Sequence, residues 1–213
     1  MKRRIKITAL LITSLLASIT FINCNSGNAS SDYSEKNLQT PEDGIVSVER
    51  GKHLVIAGAC HDCHSPKIMT AYGPQVDSTR ILSGHPADSP VPAIDVKSLI
   101  PGNWINFSPD LTAFVGPWGL SFSANLTPDS ATGTGAWSES NFVNAIRKGK
   151  HLGMETARPI APPMPWDNYK NLSDNDLKSI FAYLKTLTPI SNRVHEPYSP
   201  EEVRGRVRKN VSR

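Results

Sequence analysis

The residues of this chain with the clearest chemical potential form the pattern C-x-x-C-H, at Cys60-His61-Asp62-Cys63-His64. Two thiols at this spacing on the end of a helix can reach the two vinyl groups along one edge of a porphyrin. The imidazole of the following residue then projects toward the iron and serves as a ligand. The pattern therefore predicts one haem c, bound covalently through Cys60 and Cys63, with His64 on the iron.

Three other uses of two close cysteines agree less well with the sequence. A structural disulfide would not need a histidine directly after it. A structural zinc site needs four ligands, and the only other cysteine is Cys24, so no second cysteine pair exists. A thioredoxin-like redox pair needs a βαβ context, which the pattern of residues does not indicate.

The second axial position on the iron has three methionine candidates. Met69 follows His64 too closely to cross easily to the opposite haem face. Met164 lies in a proline-rich loop, residues 161–166, whose restricted dihedrals can hold a thioether in place. Met154 lies next to a glycine in a more flexible segment. The properties of these two segments favour Met164 as the second axial ligand, with Met154 as the alternative.

Three helices can be predicted around these residues. The first runs from about Val48 to Ala59, behind a Ser47 cap, and leads directly into the cysteine motif. The second is predicted over 139–148, between a Ser138 cap and Gly149. The third starts after Ser173, shows the apolar i, i+3, i+4, i+7 period, and stops before Pro189. Residues 83–135, rich in Gly, Pro, Ser and Asn, are predicted to be loops wrapped against something large.

The N-terminus indicates export. Residues 1–23 combine a basic start with an uncharged apolar run that ends directly before Cys24, as in a lipoprotein signal peptide whose cysteine becomes lipidated. Asn23 departs from the small residue usual at that position. Residues 24–43 are predicted to be a flexible tether and residues 44–191 the folded domain. The expected location is the periplasmic side, with a membrane anchor.

Charge gives no reason to propose nucleic acid as a partner. Four of the 23 basic residues lie in the signal segment, which leaves 19 against 19 acidic residues. A basic tail, residues 192–213, remains, and a solvated, disordered end is its favoured interpretation.

The arrangement resembles class I c-type cytochromes, and more narrowly the monohaem domains of cytochrome subunits of membrane-bound dehydrogenases. The resemblance covers nearly all of residues 44–191. Its narrower part lies in 116–119, 124–129, 132–135 and the P-M-P-W segment at 163–166. It implies a mainly α cytochrome c fold, with N- and C-terminal helices packed around one haem and a long loop-rich insertion. The insertion follows from the 100 positions between His64 and Met164, a longer separation than in minimal members.

The resemblance also implies roles for single residues. Met164 becomes the distal ligand, and a carbonyl of Gly73-Pro74 is expected to accept the His64 Nδ1–H. Gly51 is expected to cross closely over Phe181 or Tyr183. Contacts with the haem propionates are predicted for four residues of the insertion and its surroundings: Arg80, Trp104, Asn125 and Trp137.

These observations predict an electron carrier that is not itself an enzyme, with His/Met ligation, transient redox partner proteins and no small-molecule substrate. Two alternatives stay open. A haem enzyme or gas-binding sensor would need an accessible sixth iron position. A subunit of a membrane dehydrogenase or oxidase complex would keep electron transfer as the role.

Overall fold

The computed structural model describes residues 44–211, so the predicted signal segment, the tether and Cys24 lie outside the described residues. The described chain contains six α-helices and two small antiparallel sheets. In chain order the helices are α1 (Val48–Ala57), α2 (Cys60–His64), α3 (Glu139–Lys148), α4 (Trp166–Tyr169), α5 (Asp174–Leu184) and α6 (Pro200–Val211). The strands are β1 (Lys67–Thr70), β2 (Gly73–Val76), β3 (Asn106–Phe107), β4 (Ala113–Gly116) and β5 (Gly119–Phe122). Two 3₁₀ turns, Val96–Leu99 and His151–Gly153, complete the elements.

The three predicted helices are confirmed, and each begins at the predicted serine cap. The hydroxyls of Ser47, Ser138 and Ser173 each accept a hydrogen bond from a backbone N–H in the first turn, which satisfies a donor that the helix leaves unpaired. Helix α1 ends at Ala57 instead of Ala59. Ala59 adopts a left-handed conformation (φ 54°), which separates α1 from α2.

Helices α1 and α5 cross closely at Gly51. A Cβ on Gly51 would lie 1.9 Å from the Ser179 carbonyl oxygen and 2.9 Å from Cβ of Tyr183, so only glycine allows the two backbones to approach this far. The Ser47 N–H donates to Ser179 Oγ at 3.1 Å, and Arg50 Nε pairs with the buried Asp176 carboxylate. The predicted Gly51 crossing is therefore confirmed, with Tyr183 as the aromatic neighbour.

Apolar side chains from α1, α3 and α5 form the main core. Phe142 of α3 stacks on Phe181 of α5 with ring centroids 5.3 Å apart. Eight buried residues make up this cluster: Val55, Leu82, Phe142, Ile146, Leu177, Ile180, Phe181 and Leu184. The helices thus present one continuous apolar surface, and burial of that surface is the main stabilising contribution.

The region predicted to be loops contains a three-stranded sheet of order β3-β4-β5, so this expectation is corrected. In the β4–β5 hairpin, Val115 pairs with Leu120. Both side chains pack with Leu99 and with Val203 of α6 in a second small core. The C-terminal segment therefore differs from the disordered end that its charge favoured: α6 buries Val203 completely, and charge alone could not reveal that apolar contact.

Candidate functional site

The site is built on the short helix α2, which carries the whole C-x-x-C-H motif. The left-handed Ala59 turns the chain so that α2 starts directly after α1. The hydroxyl of Tyr169 donates to the Gly58 carbonyl and so ties this turn to α4. Both Cys60 and Cys63 are free thiols. Burial raises the pKa of Cys60 to about 11 and also raises the pKa of Cys63, so both remain protonated at neutral pH.

The two thiols and the His64 imidazole open onto one cavity, which is walled mainly by apolar side chains of α3, α5 and the loop before α4. Core residues such as Val55, Phe142 and Leu177 form part of its wall. An apolar cavity lined by Cys60, Cys63 and His64 suits a porphyrin joined by two thioether bonds. The residues present therefore fit haem c.

His64 is held by a backbone carbonyl. Its Nδ1 lies 2.8 Å from the Ala124 carbonyl oxygen, an acceptor only, so Nδ1 carries the proton and Nε2 keeps its lone pair. Burial lowers the pKa of His64 more than this hydrogen bond raises it, which favours the neutral imidazole that binds metals. The arrangement orients His64 as an iron ligand.

The expected acceptor for His64 was wrong. Gly73 and Pro74 begin strand β2 and pair with Thr70 and Met69 of β1, in a hairpin whose Pro74 is exposed. The carbonyl of Ala124, in the segment after β5, takes the role instead. The prediction relied on a Gly-Pro pair close to the motif in the sequence. The actual acceptor lies 60 positions from His64 and is brought to it by the insertion.

Met164 is the one methionine of the described residues that lines the cavity. The Ser121 hydroxyl of β5 donates to the Pro162 carbonyl at 2.6 Å and so fastens the loop before Met164. Met69 and Met154 are 65% and 51% exposed, and neither lines the cavity.

The four predicted propionate contacts divide into two pairs. Asn125 and Trp137 line the cavity, and Trp137 meets His151 edge to face at 5.9 Å. Arg80 instead pairs with Asp77 at 2.8 Å, and Trp104 is 88% exposed. Neither of these two lines the cavity, and their contacts with the haem propionates stay a prediction.

Sequence reasoning missed several cavity residues with polar groups, Arg158 and Tyr169 among them. Arg158 is the one lysine or arginine of the described chain that lines the cavity, and its Nε lies 3.0 Å from Oε2 of Glu196. Tyr169 also lines it, as the tie to Gly58. Arg158 belongs to no recognisable motif. Only its position shortly before Met164 in the sequence could have indicated that it lines the cavity.

The chain belongs to the cytochrome c family: residues 48–188 match the family model described as Cytochrome c. The family implies a covalent haem c and electron transfer, in agreement with the two free thiols and His64 at one cavity.

Several curated relatives are similar to this chain. A nicotinate dehydrogenase subunit of Pseudomonas putida is 27% identical over 157 residues, which cover 71% of this chain and 10% of that protein. The gluconate 2-dehydrogenase cytochrome c subunit of Pantoea cypripedii is 29% identical over 136 residues, 64% of this chain and 22% of that protein. The fructose dehydrogenase cytochrome subunit of Gluconobacter japonicus is 27% identical over 140 residues, which cover 66% of this chain and 21% of that protein. The chain thus matches about a quarter or less of the length of each of these relatives.

Within residues 44–211, no helix is long and apolar enough to cross a membrane. The predicted lipid anchor at Cys24 lies outside this range.

Proposed function

We propose that this chain is an electron carrier with one haem c, bound through Cys60 and Cys63 and ligated by His64 and Met164. One observation carries the proposal: these four residues line the same cavity, whereas the other described methionines lie outside it. The chain would not transform a substrate itself. The haem c supplies one-electron chemistry between Fe(III) and Fe(II) when bound.

The residues of the chain would hold and tune this group. Cys60 and Cys63 would hold the haem through thioether bonds, formed by addition of each S–H across a vinyl group. His64, oriented by the Ala124 carbonyl, and the thioether of Met164 would serve as the iron ligands, and thioether ligation would raise the reduction potential. The apolar wall excludes water, which disfavours the extra charge of the oxidised state and raises the potential further.

The ligands are tested by absorption spectroscopy of the purified, haem-loaded protein in both oxidation states. Wild type should show a low-spin c-type spectrum with a weak far-red sulfur-to-iron band. Met164→Ala should lose this band, whereas Met154→Ala, at an exposed position, should keep it. A high-spin wild type that binds carbon monoxide rapidly and completely at neutral pH would instead support a ligand-binding haem.

We further propose that the chain works with a dehydrogenase, either as a subunit or as a transient partner. The support is the similarity to proteins named as dehydrogenase subunits, among them two cytochrome subunits. Extraction from the native membrane in mild detergent should recover a dehydrogenase subunit together with the chain. Recovery as a lone monomer, with no electron uptake from the co-expressed dehydrogenase, would contradict this association.

The proposed setting is the periplasmic face of a membrane, with Cys24 as the lipidated residue. The support is the basic start and apolar run of residues 1–23. Cys24→Ser should move the protein from the membrane to the soluble fraction without changing its haem spectrum. Retention of the variant in the membrane would contradict lipid anchoring at this cysteine.

A further inference from the structure

We propose that Asn125 is a positioning residue that fixes the Ala124 carbonyl and thereby sets how strongly His64 donates to the haem iron. This inference rests on the proposed function, because it concerns the axial ligand of the bound haem. Asn125 was expected to contact a propionate, but its amide is committed elsewhere. Its role follows from the groups that it holds together.

The side chain of Asn125 is 5% exposed and both ends of its amide are hydrogen-bonded. Nδ2 donates to the Ile190 carbonyl at 2.8 Å and to Thr132 Oγ1 at 3.2 Å, with a longer contact to the Asn192 carbonyl at 3.4 Å, so both of its protons have acceptors. Oδ1 accepts from the Thr127 N–H at 3.0 Å and from the Thr127 hydroxyl at 2.7 Å. A fully satisfied buried amide of this kind fixes the local backbone, since any shift would leave polar groups unpaired.

Asn125 directly follows Ala124 in the chain, so the fixed amide determines where the Ala124 carbonyl points. The segment is held from its other side by Gly84 (φ 78°). A Cβ on Gly84 would lie 2.7 Å from the Ala124 oxygen, so only glycine allows this contact. The Gly84 N–H also donates to the His64 carbonyl at 2.8 Å, and the His85 N–H to the Ser123 carbonyl at 2.9 Å. Backbone from three segments thus converges on His64 and its acceptor.

The consequence is electronic as well as structural. A short hydrogen bond from Nδ1–H makes the imidazole a stronger donor through Nε2, which stabilises the oxidised iron and lowers the reduction potential. Loss of the Asn125 amide frees the Ala124 carbonyl to move, so the hydrogen bond weakens. The reduction potential should then rise.

The test compares full-length, haem-loaded wild type with Asn125→Ala. We expect the Fe(III)/Fe(II) equilibrium to shift toward Fe(II) by up to about tenfold. Loss of the partner of a metal ligand changes metal affinity or activity by about 10–100-fold, and Asn125→Ala loosens that partner without removing it. A tenfold shift corresponds to about 59 mV for one electron. In the reduced, diamagnetic protein, exchange of the His64 ring N–H followed by NMR should become faster.

Two further variants make the result decisive. Thr132→Val removes one acceptor of the Asn125 amide at nearly constant volume. It should raise the reduction potential by less than Asn125→Ala does. This variant also provides a test if Asn125→Ala does not retain haem. Asp176→Asn breaks a buried contact between α1 and α5, so it should lower stability while leaving the potential and the ring N–H exchange unchanged.

The outcomes separate this inference from the proposed function. A wild-type protein without a low-spin c-type spectrum overturns the proposed function. A second outcome overturns the positioning role alone. The wild-type spectrum is then normal, but Thr132→Val changes neither the reduction potential nor the exchange of the ring N–H. Asn125→Ala, where it retains haem, changes neither of them either.

Discussion

The Nε atom of Arg158 lies 3.0 Å from Oε2 of Glu196, and Arg158 also lines the cavity that His64 and Met164 line. The Arg158 side chain is 40% exposed and that of Glu196 is 76% exposed, so the pair stands at the border between the cavity and solvent. A cation at this border stabilises a negative group beside it, and haem carries two propionates. The two opposite charges therefore lie where each can change the reduction potential of the iron.

Arg158→Gln should lower the reduction potential, because removal of a positive charge disfavours the uptake of an electron. The shift should stay below about 59 mV, a tenfold change for one electron, since solvent screens a partly exposed charge. Glu196→Gln is the matched control and should raise the potential. Electrochemical titration measures both, and both shifts should shrink at high salt. A fall in potential with Glu196→Gln would contradict this assignment.

Asp176→Asn should destabilise the protein by about 2 kcal/mol at neutral pH, because it removes the charged partner of Arg50 in the α1–α5 contact. Burial would raise the pKa of Asp176, but hydrogen bonds from Arg50 and Ser173 outweigh it and hold the pKa below its usual value. A depressed carboxyl pKa contributes stability above the unfolded pKa of about 4, and this stability is lost as pH falls through the folded pKa.

Denaturant unfolding across pH checks this. The difference between wild type and Asp176→Asn should begin to narrow below pH about 4, where the carboxylate of the unfolded chain takes up a proton, and should close as pH falls through the lower pKa of the folded state. Asp174→Asn, in the same helical turn but 60% exposed and paired with Arg147, should cost less than about 1 kcal/mol. Equal losses of stability in the two variants would show that the buried contact contributes no more than the exposed one.

The parts of the fold that sequence predicted well are those with local causes. The three predicted helices begin at Ser47, Ser138 and Ser173, where a cap and an apolar period act within a few residues of each other. The cysteine motif is equally local, since a short helix suffices to present both thiols and His64. The position of Met164 at the cavity could be predicted because its neighbouring prolines form a recognisable loop, and its role as iron ligand stays a prediction.

What sequence could not predict depends on long-range contact. Strands β3 to β5 have two to four residues each, so their pairing with one another, and not any period, stabilises them. The acceptor for His64 is a backbone carbonyl, which every residue type possesses, so Ala124 carries no side-chain signal. The basic composition of residues 192–213 likewise gave no sign that Val203 is buried, because its partners Leu99, Val115 and Leu120 lie far away in the sequence.

Gly51→Ala should destabilise the protein by about 2 kcal/mol, because its Cβ would lie 1.9 Å from the Ser179 oxygen and force α1 away from α5. The change removes a helix-interior glycine, which alone would be stabilising by up to about 1 kcal/mol. Gly205→Ala in α6 is the matched control. Apart from its chain neighbours and the backbone of its own helix, no atom of residues 44–211 lies within 4 Å of a Cβ added at Gly205, so this variant should be slightly stabilised. Thermal or denaturant unfolding measures both, and stabilisation by both variants would contradict the close crossing.

Val203→Ala should destabilise the protein by about 2 kcal/mol, because it removes two methyl groups from a fully buried position and leaves a cavity. The lost contacts are with Leu99, Val115 and Leu120, the other buried residues of this small core. Val76→Ala, at a 41% exposed position in β2, should change the free energy of unfolding by less than about 0.5 kcal/mol. Since α6 packs on β5 and Ser121 of β5 fastens the Met164 loop, Val203→Ala should also weaken the far-red sulfur-to-iron band as the temperature rises. Unchanged stability and an unchanged band would show that α6 does not support the haem side of the sheet.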